Sequence, residues 1–238
     1  TRGDRNRILG GFSLSNAVRR LGAEFRNMAE HNMLNPWTMS YGNAADDDLS
    51  DLQLDLMRNA GLELDPIFGD VGVEWRFASQ MKKAFADNRE EWRQSMTDYS
   101  NRVARAAAKL REKVGHSRTY GYAMDEAWTE VVLRELGYFA TINHFGGGAF
   151  TTSGRHAAAG FMIDVNDSPE GISSVEARHW HNCGARCVSY ASPFSGPENA
   201  DTWRRGKGIR LYMANFDGIN EYEWYEGYHI WNDFIPDP

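Results

Sequence analysis

Cysteine is nearly absent from this chain, which has only Cys183 and Cys187 among its 238 residues. Their C-x3-C spacing stands without a second cysteine pair, so it is a weak signal for a zinc site and for a disulfide. We interpret the two as one buried thiol at a helix end and one thiol in a strand. Cysteine usage therefore does not indicate a cellular compartment, and whether the two thiols are bonded stays open.

Long apolar runs and basic patches are also missing. No run of about 18 apolar residues is present, so we expect no transmembrane helix and no membrane partner. The net charge of -7 and the isoelectric point near 5.5 argue against nucleic acid as the main partner. The chain begins at Thr1 without an initiator Met or an apolar signal segment. We expect it to be a piece of a longer protein, in which a targeting segment could lie upstream.

Several catalytic signatures do not occur. No Gly-x-Gly-x-x-Gly follows an early strand, which disfavours a dinucleotide-binding sheet. The glycine run at residues 146–148 lacks the Lys-Ser/Thr of a P-loop, so we interpret it as a flexible active-site loop. No H-E-x-x-H pattern is present, and His179 and His181 do not share a face of their predicted helix. The sequence therefore predicts no metal and no cofactor.

Short apolar runs alternate with helical patterns along the chain, and such alternation predicts a parallel sheet covered by helices. The predicted strands are residues 34–41, 62–70, 118–125, 138–145, 161–165, 186–191 and 209–216. The clearest predicted helices are residues 17–31, 46–60, 92–114, 175–183 and 198–205. This series predicts an α/β (β/α)8 TIM-barrel in one catalytic domain spanning residues 1–238. We expect the first strand to be truncated or missing, with residues 8–14 either its remnant or the loop that follows it. A doubly wound open sheet is the alternative.

The third predicted strand ends in two adjacent carboxylates, Asp125 and Glu126, directly before a helical pattern. A βα-barrel places catalytic acids at its mouth in this way. Two neighbouring carboxyl groups titrate apart, so one keeps a proton while the other stays charged. The pair predicts cleavage of a glycosidic bond, with Glu126 as the general acid. The alternative is that Asp125 caps the following helix and Glu126 lies in its first turn.

Polar and aromatic residues recur at the other predicted strand ends, which meet at one mouth of a barrel. Aromatic rings in sugar-binding clefts stack on pyranosides, although large aromatics also simply fill cores. His144 is equally compatible with a structural imidazole, and Asp217 with a residue that stabilises a turn. We predict that the following residues bind substrate: Trp37, Tyr41, Asp70, Asn143, His144, Tyr190, Asp217 and Trp224.

Residues 122–126 (YAMDE), 208–224 (GIRLYMANFDGINEYEW) and 230–234 (IWNDF) resemble the catalytic barrels of glycoside hydrolase family 123 and of related uncharacterised bacterial glycoside-hydrolase-like proteins. The resemblance implies removal of β-linked N-acetylgalactosamine, with the substrate's 2-acetamido oxygen attacking the anomeric carbon. It implies that Asp125 orients the acetamido group, that Glu126 is the acid/base, and that the protein is secreted or periplasmic. Ala127 stands where the family has Pro, and the family's β-sandwich domain is absent.

The favoured hypothesis is a glycoside hydrolase, β-N-acetylhexosaminidase-like, that acts on an oligosaccharide or polysaccharide. The alternative is a non-catalytic carbohydrate-binding barrel module of a larger protein. A metal-dependent hydrolase using His144 and Asp164 ranks last. The sugar, the linkage and the oligomeric state stay open.

Overall fold

The computed structural model describes residues 14–36, 39–41, 47–71, 88–122, 129–152, 154–168, 172–190, 205 and 208–220. The helices are α1 (Leu14–Glu30), α2 (Asp47–Ala60), α3 (Arg89–Val114), α4 (Thr129–His144), α5 (Ser174–Asn182) and α6 (Arg210–Met213), with a 3-10 helix at Gly154–Met162. The strands are β1 (Met39–Tyr41), β2 (Ile67–Val71), β3 (Thr119–Tyr122), β4 (Gly148–Thr151), β5 (Val165–Ser168), β6 (Arg186–Ser189) and β7 (Gly218–Ile219). None of the described helices has the length and apolar character needed to cross a membrane.

The sheet is parallel at every strand pairing whose register the structure describes. The strand order in the sheet is the order along the chain, and a helix lies between each strand and the next. A doubly wound sheet reverses its strand order at one point. The described strands show no such reversal, so the predicted α/β fold with a parallel sheet is confirmed and the doubly wound alternative is not supported.

The chain divides into two compact units. The first contains residues 1–123 and 137–149, and the second contains residues 124–136 and 150–238.

The first unit is built on α3, the longest described helix. Asn88 caps its start, because the side chain accepts a hydrogen bond from the backbone N–H of Glu90 at 3.0 Å. Gly115 ends it in the left-handed conformation, at φ 83°. One face of α3 is buried in a core with residues of α2, β2 and α4. The buried core residues are Leu54, Ile67, Tyr99, Val103, Ala106, Leu110, Tyr138 and Ile142.

The prediction of a strand at residues 138–145 is wrong, because this segment is the last half of α4. Its aromatic and β-branched residues are typical of strands, but Tyr138 and Ile142 are buried four residues apart on one helical face. The helix ends in a tight turn through Gly146, at φ 87°, and the next strand begins at Gly148. The glycine run is therefore a helix-to-strand turn and the start of β4, which corrects the prediction of an active-site loop.

In the second unit, α5 and the strands β4 to β6 carry buried apolar residues. Ser173 caps α5 by accepting from the backbone N–H of Val175 at 3.2 Å. Trp180 of α5 is fully buried and donates its indole N–H to Glu176, one turn earlier, at 2.8 Å. The predictions of a helix at residues 175–183 and a strand at residues 186–191 are confirmed to within two residues.

Two strand predictions in this unit are wrong. The segment predicted at residues 161–165 starts inside the 3-10 helix, and β5 begins only at its last residue. Residues 210–213 of the strand predicted at 209–216 form α6, and the actual strand β7 follows at Gly218. The predicted first strand at residues 8–14 falls almost wholly outside the described residues, as does most of the predicted helix at 198–205.

Gly147 provides a test of the helix-to-strand turn. A Cβ on Gly147 would lie 2.8 Å from the Thr119 carbonyl oxygen and 2.8 Å from Cγ2 of Ile142. Because backbone cannot move aside cheaply, we expect Gly147→Ala to lower the free energy of unfolding by about 1–3 kcal/mol. A Cβ on Gly22 in α1 meets Leu56 at 3.4 Å, so Gly22→Ala should be neutral or stabilise by up to about 1 kcal/mol. Denaturant unfolding measures both, and equal midpoints for the two variants would contradict this packing.

Candidate functional site

Polar side chains gather at the carboxyl ends of four consecutive strands in the second unit. They are Thr151 and Thr152 at the end of β4, Asp167 and Ser168 at the end of β5, Ser189 at the end of β6, and Asn220 just after β7. All except Asn220 are buried. In α/β proteins with parallel sheets, ligands bind at this edge. We call this group the carboxyl-edge cluster.

One face of the sheet carries a buried polar row. Thr151 pairs with Asn166 in the register of β4 and β5, and Ser168 pairs with Ser189 in the register of β5 and β6. Since alternate residues of a strand share a face, all four lie on the same side. The Thr151 hydroxyl donates to Oδ1 of Asn166 at 3.0 Å. The Ser168 hydroxyl is fully buried and has no hydrogen-bond partner in the described part of the chain, which leaves it able to take one.

The opposite face carries a buried carboxyl group. Asp167 is 1% exposed, and its Oδ2 accepts a hydrogen bond from the Asn220 side-chain amide at 2.7 Å. The backbone N–H of Asn220 donates to the Ser189 carbonyl at 3.0 Å. These two contacts fix Asn220 at the carboxyl edge, although its own side chain is exposed.

Tyr190 follows β6 directly and is half-buried, so it lies at a carboxyl end as predicted. Its role in binding a substrate stays a prediction. Among the predicted binding residues that the structure describes in this unit, Tyr190 directly follows a member of the carboxyl-edge cluster in the sequence.

The carboxyl ends of the first unit's strands carry two predicted binding residues. Tyr41 is the last residue of β1, and Asp70 is the last but one of β2. Helices cover the face that holds Ile67 and Gly121, since a Cβ on Gly121 would lie 2.6 Å from Ile142 of α4.

The face opposite those helices carries an aromatic pair in the first unit. The rings of Phe68 and Tyr120 lie there, half-buried, with their centroids 4.9 Å apart. Tyr122, two residues further along β3, shares that face.

Four predicted site residues lie outside the described residues: Trp37, Asp125, Glu126 and Trp224. For the acidic pair, the flanking elements are described. β3 ends at Tyr122, three residues before Asp125, and α4 begins at Thr129, three residues after Glu126. The structure therefore has a strand before the acidic pair and a helix after it, in the predicted order.

Asn143 and His144 do not lie at the end of a strand, contrary to the prediction. Both are exposed residues in the last turn of α4, which leads to the amino end of β4. The next residue, Phe145, confirms the edge: its carbonyl accepts from Ser117, two residues before β3, at 2.9 Å. Asn143 and His144 therefore lie at the edge opposite to the carboxyl ends. The prediction is wrong because the segment has the composition of a strand but forms the end of a helix.

Asp217 precedes β7 instead of following the end of a strand, and so does nearby Asn215. Oδ2 of Asp217 accepts from the Cys187 backbone N–H at 2.7 Å and lies 2.8 Å from Nε2 of His181. Asn215 contacts the other ring nitrogen of His181 at 3.3 Å. Asp217 thus joins α5, β6 and the approach to β7 at the amino edge of the sheet.

A similar structural group lies at the amino edge of the first unit. The Arg118 guanidinium donates a hydrogen bond from Nε to Asp65 at 2.7 Å, and this bond lowers the pKa of the Asp65 carboxyl. His116 contacts the Leu64 carbonyl at 2.7 Å. These contacts tie the start of β3 to the start of β2.

The lowest-ranked alternative, a metal-dependent hydrolase, uses His144 and Asp164. His144 ends α4 and Asp164 precedes β5, so neither residue lies at the carboxyl end of a strand. Across the described ranges, no group of three or more His, Cys, Asp or Glu side chains is placed to hold a metal ion.

Sequence reasoning missed Ser168, Ser189 and Asn220. The signal was a polar residue at the end of each short strand, as in residues 165–168 (VNDS) and 186–189 (RCVS). The sequence predicts strands that end too early in the chain near β5 and β7, so the actual carboxyl ends of these two strands fall outside the predicted strands.

Comparison with models of protein families finds no match, and comparisons with curated proteins and with solved structures find none either. The resemblance to glycoside hydrolase family 123 therefore stays a hypothesis carried by the sequence motifs. Assignments of function must come from the residues themselves.

The cysteines give a simple test of the second unit. Both are free thiols: Cys183 is half-buried at the end of α5, and Cys187 is buried in β6. The positions match the interpretation of one thiol at a helix end and one in a strand, but the buried thiol is the one in the strand and not the one at the helix end. Burial raises the pKa of Cys187 to about 12, and the carboxylates of Glu176, Asp217 and Asp167 add to the shift.

Because the thiolate is the reactive form, Cys187 should stay protonated and inert at about pH 8. A chromogenic disulfide reagent should therefore titrate one thiol in the folded chain and two after denaturation. Cys183→Ala should leave none reactive in the folded chain. Equal reaction of both thiols in the folded wild type would contradict the burial of Cys187.

Proposed function

We propose that this chain is a glycoside hydrolase that removes a terminal sugar, with Glu126 as the acid/base. The observation that carries the proposal is the position of the acidic pair in the chain. Asp125 and Glu126 follow the carboxyl end of the parallel strand β3 and precede α4, as catalytic acids do in a (β/α)8 barrel. The described residues establish a parallel α/β sheet, and the closure of that sheet into a barrel is part of the proposal.

The surroundings of the strand ends support sugar as the substrate class. Tyr120 and Tyr122 of β3 lead to the acidic pair, and the Phe68–Tyr120 pair lies on the face opposite the helices. Aromatic rings with a polar handle suit the apolar face and the hydroxyls of a pyranoside. Considered by itself, the carboxyl-edge cluster of the second unit has hydroxyl and amide groups without a net charge at Ser168, Ser189 and Asn220, which suit the hydroxyls of a sugar.

The proposed chemistry divides the work between two carboxyl groups. Glu126 protonates the leaving oxygen and then removes a proton from the attacking water. Asp125 orients the 2-acetamido group, whose oxygen attacks the anomeric carbon. No carboxylate nucleophile is then needed, which is a known exception to the two-carboxylate scheme. Adjacent residues can play these roles because they act on different atoms of the sugar.

The binding set changes with the corrected strand ends. Tyr41, Asp70 and Tyr190 remain candidates because they lie at carboxyl ends. Trp37 and Trp224 remain candidates on sequence position alone. Asn143, His144 and Asp217 are no longer proposed, because the argument that selected them required strands that the structure does not have.

A non-catalytic carbohydrate-binding module is the second candidate. It uses the carboxyl-edge cluster of the second unit but makes no use of a proton on Glu126. Turnover separates the two candidates.

The test is release of the aryl group from a panel of aryl β-glycosides, with and without a 2-acetamido group. We expect wild type to release it only from 2-acetamido sugars. Glu126→Gln should reduce kcat by at least about 100-fold, since general acid–base catalysis contributes roughly 10²–10⁴-fold. Asp125→Asn should also lower kcat on these substrates.

The matched control is Glu112→Gln, the same change on the exposed surface of α3, which should leave kcat within about twofold of wild type. Turnover of plain sugars would keep the hydrolase but remove the acetamido mechanism. Full activity in Glu126→Gln would overturn the assignment of the acid. No turnover by folded wild type, with binding of a methyl glycoside, would favour the binding module.

A further inference from the structure

The Asp167–Asn220 pair is a built recognition element at the carboxyl edge of the second unit. Its geometry fixes which atom of the Asn220 amide faces outward. The side-chain amide nitrogen of Asn220 donates a hydrogen bond to Oδ2 of Asp167 at 2.7 Å. The carbonyl oxygen Oδ1 therefore points away from the carboxyl group.

The outward oxygen is held in place and is accessible. The backbone N–H of Asn220 donates to the Ser189 carbonyl at 3.0 Å, which anchors the residue to the end of β6. Asn220 is exposed, whereas Asp167 behind it is 1% exposed. In the described part of the chain, no hydrogen bond engages Oδ1. A buried group thus holds the side-chain amide of an exposed residue at the edge where ligands of parallel sheets bind.

The charge behind the amide restricts the class of ligand. A carboxyl group at the nitrogen end of an amide polarises it and makes its oxygen a stronger acceptor. The same negative charge repels an anion that approaches from the oxygen side. The element therefore suits a neutral O–H or N–H donor and disfavours a carboxylate or a phosphate.

We propose that Asn220, positioned by Asp167, accepts a hydrogen bond from a hydroxyl or acetamido N–H of the sugar and selects neutral sugars over uronic acids. This inference rests on the proposed function for the identity of the ligand as a sugar. Asn220 is the residue that touches the substrate, and Asp167 is a positioning residue.

The test is calorimetric titration of the Glu126→Gln background, in which turnover does not interfere. The probes are the methyl β-glycosides of N-acetylgalactosamine, galactose and galacturonic acid, the last being the anionic counterpart of galactose. We expect the galacturonide to bind about tenfold more weakly than the galactoside. Adding Asn220→Ala should weaken binding of the neutral glycosides by about fivefold to tenfold, as the loss of one well-placed hydrogen bond does.

Two further variants make the result specific. Asn182→Ala is the control, because it makes the same change at an exposed residue at the end of α5, and its affinities should match the background. Asp167→Asn keeps the shape and a carbonyl acceptor but removes the charge. Its preference for galactoside over galacturonide should fall toward about twofold, a readout that a purely structural role would not move. Circular dichroism verifies that each variant is folded.

The outcomes separate this inference from the proposed function. Hydrolysis by wild type with unchanged affinity in Asn220→Ala would overturn the role of Asn220 and leave the hydrolase intact. Absence of hydrolysis with weakened binding in Asn220→Ala would overturn the hydrolase and support Asn220. Galacturonide bound as tightly as galactoside would overturn the selection of neutral sugars. Failure of every glycoside to bind folded protein would overturn both.

Discussion

Parallel pairing of consecutive strands is the constraint on which the rest of this structure depends. When two neighbouring strands run in the same direction, the connection between them must return the chain to the amino edge, and a helix does this. Every residue that directly follows a strand then lies at one edge, and every residue that directly precedes a strand lies at the other. The boundaries of the strands therefore decide at which edge each polar residue lies. An error of a few residues in a predicted boundary assigns a side chain to the wrong edge.

The two edges have different chemistry. At the amino edge, polar groups are engaged with neighbouring backbone: Asp217 holds the Cys187 N–H and His181, and Ser117 holds the Phe145 carbonyl. At the carboxyl edge, the buried Ser168 hydroxyl has no hydrogen-bond partner among the residues that the structure describes, and Asn220 presents an amide oxygen. Polar groups whose hydrogen bonds hold the fold together have little capacity left to bind a substrate, whereas oriented groups with spare hydrogen-bonding capacity can bind one. This contrast is the physical reason for placing function at the carboxyl edge.

The sequence predicted the elements whose patterns are long or well capped. The period from Trp92 to Val114 identified α3, and the apolar run before Asp125 identified β3. It failed where the local composition and the packing disagree. Residues 138–145 have the composition of a strand, yet burial of Val132, Glu135, Tyr138 and Ile142 follows a helical face. The four residues of α6 are too few to show a period. The pairing of Asp167 with Asn220, 53 residues apart, could not be found without the fold.

The central claim is that ligands meet this protein at the carboxyl edge of its parallel sheet. Amide chemical-shift mapping tests it most directly, by titrating the Glu126→Gln variant with the methyl β-glycoside of N-acetylgalactosamine. We expect the largest shifts at carboxyl-edge residues of the second unit, including Ser168, Tyr190 and Asn220, and none at its amino-edge residues His181 and Asp217. Shifts concentrated at the amino-edge residues would contradict the account.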